Sequence, residues 1–176
     1  MISNIEIFPW NDNFETGIAL IDEQHKRLID LLNQLVSHLA FNADIPTLNN
    51  IFDQLKDYTV VHFETEQGIW RGTFAGDQWE AEHALAHSSF VDEVIRLKSE
   101  EEEGKKSMDE VIESIVTFLT HWLALHILES DKRMAKVVLA MPSGITLEQA
   151  KRVADEEMSG AAKVLVETVM SMYDQL

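Results

Sequence analysis

The sequence predicts an all-α fold, with four long helices around one core, an irregular N-terminal arm and an additional C-terminal helix. Along most of the chain, apolar residues recur at intervals of three and four rather than two, which is the period of an amphipathic helix. Only three prolines and seven glycines interrupt the 176 residues. A hydrophobic content of 45% is enough for a core without disulfides or metals as supports.

An irregular arm is expected before the first helix. It extends to about Gly17 and carries the aromatic residues Phe8, Trp10 and Phe14, which we expect to pack across the bundle. Helix one is predicted over residues 18–41. Its inner face has apolar residues at helical spacing, namely Leu28, Ile29, Leu31, Leu32, Leu35 and Leu39.

Helices two and three begin at residues with capping side chains. Asp44 can cap helix two, with a proline in the first turn, and that helix is predicted to reach about Trp70, before Arg71-Gly72 and Gly76 break it. Asp77, with Glu80 three residues later, predicts a capping box at the start of helix three. We expect helix three to end in the charged run 99–106, exposed to solvent.

Helix four and a C-terminal fifth helix complete the predicted elements. Ser107 with Glu110 predicts a second capping box, and helix four should reach about Ala140, where a Pro-Ser-Gly sequence ends it. The fifth helix is predicted from Thr146 to about Tyr173, outside the four-helix unit. Its apolar side comprises Leu147, Ala150, Val153, Ala154, Met158, Ala161, Ala162, Leu165, Val166 and Val169.

Composition excludes several classes of site and partner. Because the chain has no cysteine, any metal must be bound by nitrogen and oxygen. A net charge of −17 would repel nucleic acid and anionic membrane surfaces. The most apolar stretch, residues 115–128, is shorter than the roughly 20 apolar residues that span a bilayer, and the N-terminus has no secretory pattern. We therefore expect a cytoplasmic protein that binds neither nucleic acid nor a membrane.

Histidine and carboxylate side chains recur within the apolar helices at spacings that suit metal binding. His62 and Glu66 are four residues apart on helix two, and His83 and His87 are four apart on helix three, so each pair shares one helical face. His25 lies among apolar residues of helix one. A single pair of this kind recurs by chance, but a buried ionisable group costs several kcal/mol unless it is paired or bound to metal. Contributions from several helices therefore favour a metal site.

The pair on helix four, His126 and Asp131, does not converge on a straight helix. The two residues are five apart, which separates their side chains by about 140° around the axis. Either the pair straddles the inner seam, or a local π-bulge turns Asp131 inward, and such bulges favour functional sites. His38 and His121 should face elsewhere and are not counted as ligands.

The ligand types indicate which metals fit. Five imidazoles and two carboxylates suit iron better than calcium or magnesium, which prefer oxygen ligands, and manganese and zinc remain alternatives. If both carboxylates bridge a metal pair together with an oxide or hydroxide, three histidines on one ion and two on the other leave one position open, where dioxygen would bind. The predicted metal ligands are His25, His62, Glu66, His83, His87, His126 and Asp131.

Residues from Trp10 to about Met134 resemble hemerythrins, specifically the bacterial hemerythrin-like domains. The resemblance lies in the motifs DEQHKRL, HFETE, HALAHSSF and WLALHILESDKRM, which fill seven ligand positions in the family's order and spacing. It implies an antiparallel up-and-down four-helix bundle, the diiron domain 1–140, with two iron ions (Fe2+/Fe3+) bridged by oxide or hydroxide and dioxygen as ligand. By this resemblance, the six-coordinate iron is bound by His83, His87 and His126. The five-coordinate iron is bound by His25 and His62, and the bridges are Glu66 and Asp131.

The resemblance also implies reversible dioxygen binding with little catalysis, so we expect a protein that is not an enzyme. An apolar pocket for dioxygen is expected beside the open iron, comprising Ile29, Leu32, Phe63, Phe90, Leu123 and Ile127. A diiron oxidase or ferroxidase is the less favoured alternative. Those sites are rich in carboxylates and have two Glu-x-x-His pairs, a form that only residues 80–83 approach.

The segment 145–176 departs from the family pattern, because such domains usually end soon after the Asp131 segment. We interpret it as a linker, dimerisation or signalling helix, which favours an oxygen or redox sensor with an output domain outside this chain. The helix can equally fold back on the bundle or pair with its copy in a homodimer. The alternative function is a stand-alone protein for oxygen storage or delivery.

Overall fold

The computed structural model describes residue 10 and residues 12–173, so the predicted packing of Phe8 lies outside the described residues. Four long helices form the bundle: α1 (Ala19–Ala40), α2 (Ile45–Phe74), α3 (Gln78–Glu102) and α4 (Met108–Leu125). A π-helical turn, His126–Asp131, joins α4 to α5 (Lys132–Ala140). Two further helices are α6 (Leu147–Met158) and α7 (Ala161–Tyr173). Within the described part of the chain there is no strand, and the all-α prediction is confirmed.

The four long helices form a closed ring. α2 packs between α1 and α3, α3 packs against α4, and α4 returns to α1. Short loops between long helices that pack side by side require neighbours to run antiparallel. The predicted antiparallel up-and-down bundle is therefore confirmed.

Capping side chains fix where the helices begin. Asp44 accepts a hydrogen bond from the Thr47 amide at 2.9 Å, and the predicted capping box of Ser107 and Glu110 is present. At α3 only half of the predicted box forms: Asp77 accepts from the amide of Trp79, whereas Glu80 lies 3.4 Å from the Arg71 side chain. Each cap satisfies a backbone amide that the first helical turn leaves unpaired.

Helix α2 ends one turn later than predicted. The predicted break at Arg71 and Gly72 is wrong, because both residues lie within the helix, which continues to Phe74. The end comes at Gly76, whose φ of +75° is a left-handed conformation that favours glycine. Tertiary packing explains the difference, since Trp70 and Phe74 are both fully buried and hold the extra turn in place.

The apolar interior consists of two clusters that lie on either side of the predicted ligands. Along α1, Leu28 belongs to the larger cluster and Ile21 to the smaller one, with His25 between them. The N-terminal arm contributes Phe14, which is fully buried, and Trp10, which packs at the edge of the larger cluster as predicted. The predicted ligands are therefore enclosed between two apolar clusters.

The C-terminal segment is helical as predicted, but it forms two helices instead of one. The break lies at Ser159 and Gly160, where Gly160 adopts a φ of +63°. α6 packs against α5, and α7 packs against α4. Val153 is 42% exposed, although it was assigned to the apolar side. The buried or partly buried residues of that side are Leu147, Ala150, Ala154, Met158, Val166 and Val169; the side chains of Ala161, Ala162 and Leu165 are not among those described.

In the described part of the chain, one helical stretch, Met108–Ser143, is long and apolar enough to cross a membrane by length and composition. Its most apolar window is 61% buried inside the protein. Packing in the bundle core therefore accounts for its hydropathy.

Candidate metal centre

The structure brings all seven predicted ligands together inside the bundle. Three of the long helices and the π-helical turn after α4 contribute: α1 one histidine, α2 and the π-helical turn one histidine and one carboxylate each, and α3 two histidines. None of the seven residues is more than 7% exposed. Seven ionisable groups in a dry interior need compensation by one another or by a cation. They are His25, His62, Glu66, His83, His87, His126 and Asp131.

The π-helical turn solves the spacing problem of the fourth helix. On a regular α-helix His126 and Asp131 would point about 140° apart. The wider turn brings them onto one side, and His126 Nε2 lies 3.1 Å from Asp131 Oδ1. Of the two alternatives that the spacing left open, the π-bulge is therefore correct. The same turn keeps Ile127 and Leu128 buried, so the core and the site share one helix without conflict.

The ligands form two sets that share a carboxylate. One set contains Glu66 with the three imidazoles of His83, His87 and His126, and the other contains Glu66 and Asp131 with the imidazoles of His25 and His62. Within each set, one ligand atom per residue lies within 4.8 Å of all the others. This compactness is what a single ion needs from its ligands.

Glu66 turns one oxygen towards each set. Its Oε1 atom lies 3.1 Å from His25 Nε2 and 2.8 Å from His62 Nε2. Its Oε2 atom lies 3.1 Å from His87 Nε2. The carboxylate therefore stands between the two sets in a bridging orientation.

Asp131 also directs one oxygen to each imidazole set. Its Oδ2 atom lies 3.0 Å from His25 Nε2, whereas Oδ1 lies 2.7 Å from His83 Nε2 and 3.1 Å from His126 Nε2. Two carboxylates thus separate a set of three imidazoles from a set of two.

The nitrogen and oxygen atoms of the site are better placed to bind cations than to hydrogen-bond to one another. His87 Nε2 and His126 Nε2 face each other at 3.1 Å, where at most one of them can donate a proton. Among the described residues, Glu66 Oε2 and Asp131 Oδ2 are buried without a well-oriented hydrogen bond. Lone pairs of nitrogen and oxygen that converge without enough protons between them form a site for positive ions.

The pKa values of the site residues also indicate a site for cations. Burial, and in Glu66 also the charge of Asp131, raises the pKa of these two carboxyls, but the surrounding imidazoles lower both pKa values well below the ordinary range. Burial lowers the pKa of His25, but Asp131 and Glu66 outweigh it and raise that pKa to about 9. Burial and neighbouring imidazoles lower the pKa of His87 to about 4, despite the charge of Glu66. Without a cation, protons held on imidazoles must therefore balance the charge of the two carboxylates, and metal binding would displace those protons.

Amide side chains orient two of the rings, and sequence reasoning missed both. His62 Nδ1 donates to Gln24 Oε1 at 2.8 Å, and Gln24 Nε2 in turn donates to the hydroxyl of Thr65 at 3.2 Å. This chain leaves His62 Nε2 free to offer its lone pair to the site. Gln67 Nε2 lies 3.3 Å from His87 Nδ1, and half a turn of that amide places its oxygen there as an acceptor. Both glutamines adjoin a predicted ligand in sequence, the one signal that could have identified them.

Aromatic rings pack on the imidazoles. Phe63 stacks on His87 with ring centroids 3.7 Å apart and planes inclined by 7°, and Trp122 stacks on His126 at 4.2 Å and 15°. Trp122 was not predicted to take part. All six residues predicted to line a dioxygen pocket are buried in the larger cluster, and their role towards dioxygen stays a prediction: Ile29, Leu32, Phe63, Phe90, Leu123 and Ile127.

A cleft approaches the set of three imidazoles from solvent. It has a volume of about 360 Å³, and His83 and His126 form part of its wall. Its charged lining residues are Glu82, Glu129 and Arg133.

The two remaining histidines lie outside both ligand sets, as expected. His38 Nδ1 is 2.8 Å from the Gln34 carbonyl oxygen on its own helix. His121 lies five residues before His126 on α4 and is partly buried.

Known proteins are similar in sequence to this chain over the four-helix bundle. A family model described as the hemerythrin HHE cation binding domain matches residues 16–138. A bacteriohemerythrin from Stenotrophomonas maltophilia is 32% identical over 135 residues, which cover 76% of this chain and 83% of the relative. Another from Clostridium acetobutylicum is 30% identical over 129 residues, covering 72% of this chain and 97% of the relative. A hemerythrin-like protein from Naegleria gruberi is 26% identical over 131 residues, 74% of this chain and 93% of the relative. No solved structure matches the chain.

The matched region contains every side chain of the two ligand sets and all four long helices of the bundle. Since the family model also covers well over half of the chain, this protein belongs to the hemerythrin family.

Proposed function

We propose that this protein holds two iron ions and binds dioxygen reversibly at one of them. His83, His87 and His126 would hold one ion, and His25 and His62 would hold the other. Glu66 and Asp131 would be shared between the two ions, together with an oxide or hydroxide. The observation that carries the proposal is that each carboxylate directs one oxygen to each imidazole set.

The asymmetry between the sets supports a binding function. Three imidazoles would leave their ion fewer free positions than two imidazoles would leave the other. A bound pair of ferrous ions would supply the two electrons that dioxygen accepts. His25 and His62 therefore define the side of the site where a small ligand would bind.

The protein around the site favours holding dioxygen over activating it. The imidazole-rich ligand set differs from the carboxylate-rich sites of diiron oxidases and ferroxidases. The buried apolar side chains above and below the ligands, such as Leu32 and Ile127, would exclude water and slow proton entry. We therefore propose a binding protein rather than an enzyme.

A sensor role is supported by contacts from the C-terminal helices. Arg133, two residues after Asp131, lies 3.5 Å from Asp155 of α6, and Lys136 lies 2.9 Å from Glu157. Any change in the π-helical turn on ligand binding would therefore reach the segment 145–176, which the family model does not cover. We propose that this segment carries the response to a partner, to a second copy of the chain or to an output domain.

Storage or delivery is the alternative, favoured by the relative from Clostridium acetobutylicum. The match to this chain covers 97% of that relative, so almost its entire length aligns within 129 residues. A domain without a long extension can thus stand alone in this family.

Three measurements test the proposal. Iron analysis should give two ions per chain, and the reduced protein should develop a reversible charge-transfer spectrum with dioxygen. Hydrogen exchange should then change in α6 and α7 between the reduced and oxygenated states if the protein is a sensor. Iron that does not load would refute the diiron site, and unchanged exchange in the C-terminal helices would favour storage.

A further inference from the structure

A second cavity lies between α2 and α3, away from the cleft beside His83 and His126. Its volume is about 180 Å³. Leu55 and Thr59 form its α2 wall, Phe90 and Val94 form its α3 wall, and Leu119 of α4 forms its floor. The cavity therefore lies inside the bundle wall and not between the bundle and the C-terminal helices.

The lining of this cavity is unsuited to water or ions. The hydroxyl of Thr59 donates to the carbonyl of Leu55 at 2.7 Å and is not free. The ammonium of Lys56, at the outer edge, lies 3.5 Å from Asp53 and is largely in solvent. An ordered water needs two to four polar partners, which the remaining hydrocarbon side chains do not supply. The lining therefore favours apolar molecules over water.

The inner end of the cavity lies next to the metal centre. Thr59 precedes His62 by three residues on α2, so the two residues lie one turn apart on the same side of the helix. Phe90 lies 5.4 Å from Phe63 between ring centroids, and Phe63 is stacked on His87. The rings of Phe90 and Phe63 thus form an aromatic layer between the cavity and His87.

The outer end of the cavity reaches solvent. Val60 is 47% exposed and Val91 is 37% exposed, and both line the cavity. The cavity therefore spans the bundle wall, from surface valines to the aromatic layer over the site.

We propose that this cavity binds small apolar gas molecules and is the chamber through which dioxygen reaches the metal centre. Dioxygen is uncharged and apolar, so it partitions into such a space, whereas ions and water favour the cleft lined by Glu82, Glu129 and Arg133. Apolar cavities of about 150 Å³ in other proteins stay dry and bind xenon. The entry role rests on the proposed function, but binding of an inert gas does not.

Xenon is the probe for the site, measured by NMR on the full iron-loaded chain. Xenon should bind with saturation, and Val94→Phe should abolish this binding because the larger ring fills the cavity. Val91→Phe narrows the outer end at an exposed position and serves as a second variant should Val94→Phe fold poorly. Leu85→Phe is the matched control, because Leu85 lies exposed on the same helix outside the cavity.

Dioxygen kinetics test the entry role. Val94→Phe should slow association and dissociation by the same several-fold factor and leave the equilibrium affinity unchanged, because a barrier on the route acts equally in both directions. Leu85→Phe should leave both rates unchanged. Absence of xenon binding would overturn the proposal, as would unaltered dioxygen rates in both cavity variants. If iron fails to load, the proposed function is wrong, and xenon binding to the full chain without iron still decides whether the cavity is a gas site.

Discussion

Deleting Glu129 should remove the π-helical turn and keep the metal site. His126 and Asp131 are five residues apart, about 140° on a regular helix, and the deletion leaves them four apart, or about 40°. His62 and Glu66 already have that spacing and lie 2.8 Å apart. The turn absorbs one extra residue, so the buried residues that follow Asp131 keep their orientation after the deletion. Glu129 itself is exposed.

The matched control is deletion of Glu64, an exposed residue between two ligands on a regular helix. It would rotate the rest of α2 by about 100° and turn Trp70 and Phe74 out of the core. Loss of either large side chain from a core costs about 3–5 kcal/mol, a large part of the stability of a typical domain. We therefore expect the control not to fold.

The assay combines iron content, far-UV circular dichroism and thermal unfolding. The Glu129 deletion should retain full iron content and helicity, with Tm changed by roughly 2–4 °C for a change of about 1 kcal/mol. A folded Glu129 deletion that binds no iron would refute the reasoning, because it would show that the π-helical turn does more than correct the spacing.

Four further outcomes are expected. His62→Ala should abolish stoichiometric iron, whereas His38→Ala should keep it, as elemental analysis would show. Gln24→Ala should weaken metal binding by about 10–100-fold in competition with a chelator, and unchanged affinity would contradict its role in orienting His62. Asp77→Ala should lower Tm more than Lys151→Ala, because it removes a helix cap and the carboxylate that lies 3.0 Å from the Lys151 ammonium, which then keeps only the more distant Glu148, at 3.8 Å. Partial burial raises the pKa of Asp77, but Trp79 and Lys151 lower it overall, so this stabilisation should be lost as pH falls below roughly 4. Ending the chain after Ala140 should lower Tm and promote association by uncovering the smaller apolar cluster, and an equally stable truncated monomer would contradict that packing.

Helix faces were predictable where the period is regular. The pairs on α2 and α3 are four residues apart, and regular helical geometry alone places them together. The convergence of His126 and Asp131 was not predictable in this way, because burial of Asp131 among imidazoles from other helices stabilises the π-helical turn. Local sequence therefore left two arrangements open, and only tertiary contacts decide between them.

Helix ends depend on the same distinction. Gly72 predicts a helix break, yet the buried rings of Trp70 and Phe74 keep α2 intact there. Gly160, in contrast, interrupts the apolar face that predicts one continuous C-terminal helix. Ser-Gly was the available signal for the second break, and the apolar residues on both sides obscured it. Gln24 adjoins the predicted ligand His25 in sequence, but the ring that it orients belongs to His62, which is 38 residues away, so sequence alone does not assign that role.

The bridging orientation of the two carboxylates has a consequence for how the protein fills with metal. A first ion would hold both anions in the pose that the second position requires, and their charge would offset the repulsion between cations. Occupancy should then be cooperative, with chains either fully loaded or empty when metal is scarce. Native mass spectrometry at half-saturation would show this as two dominant masses, and a dominant singly loaded species would argue that the positions fill independently.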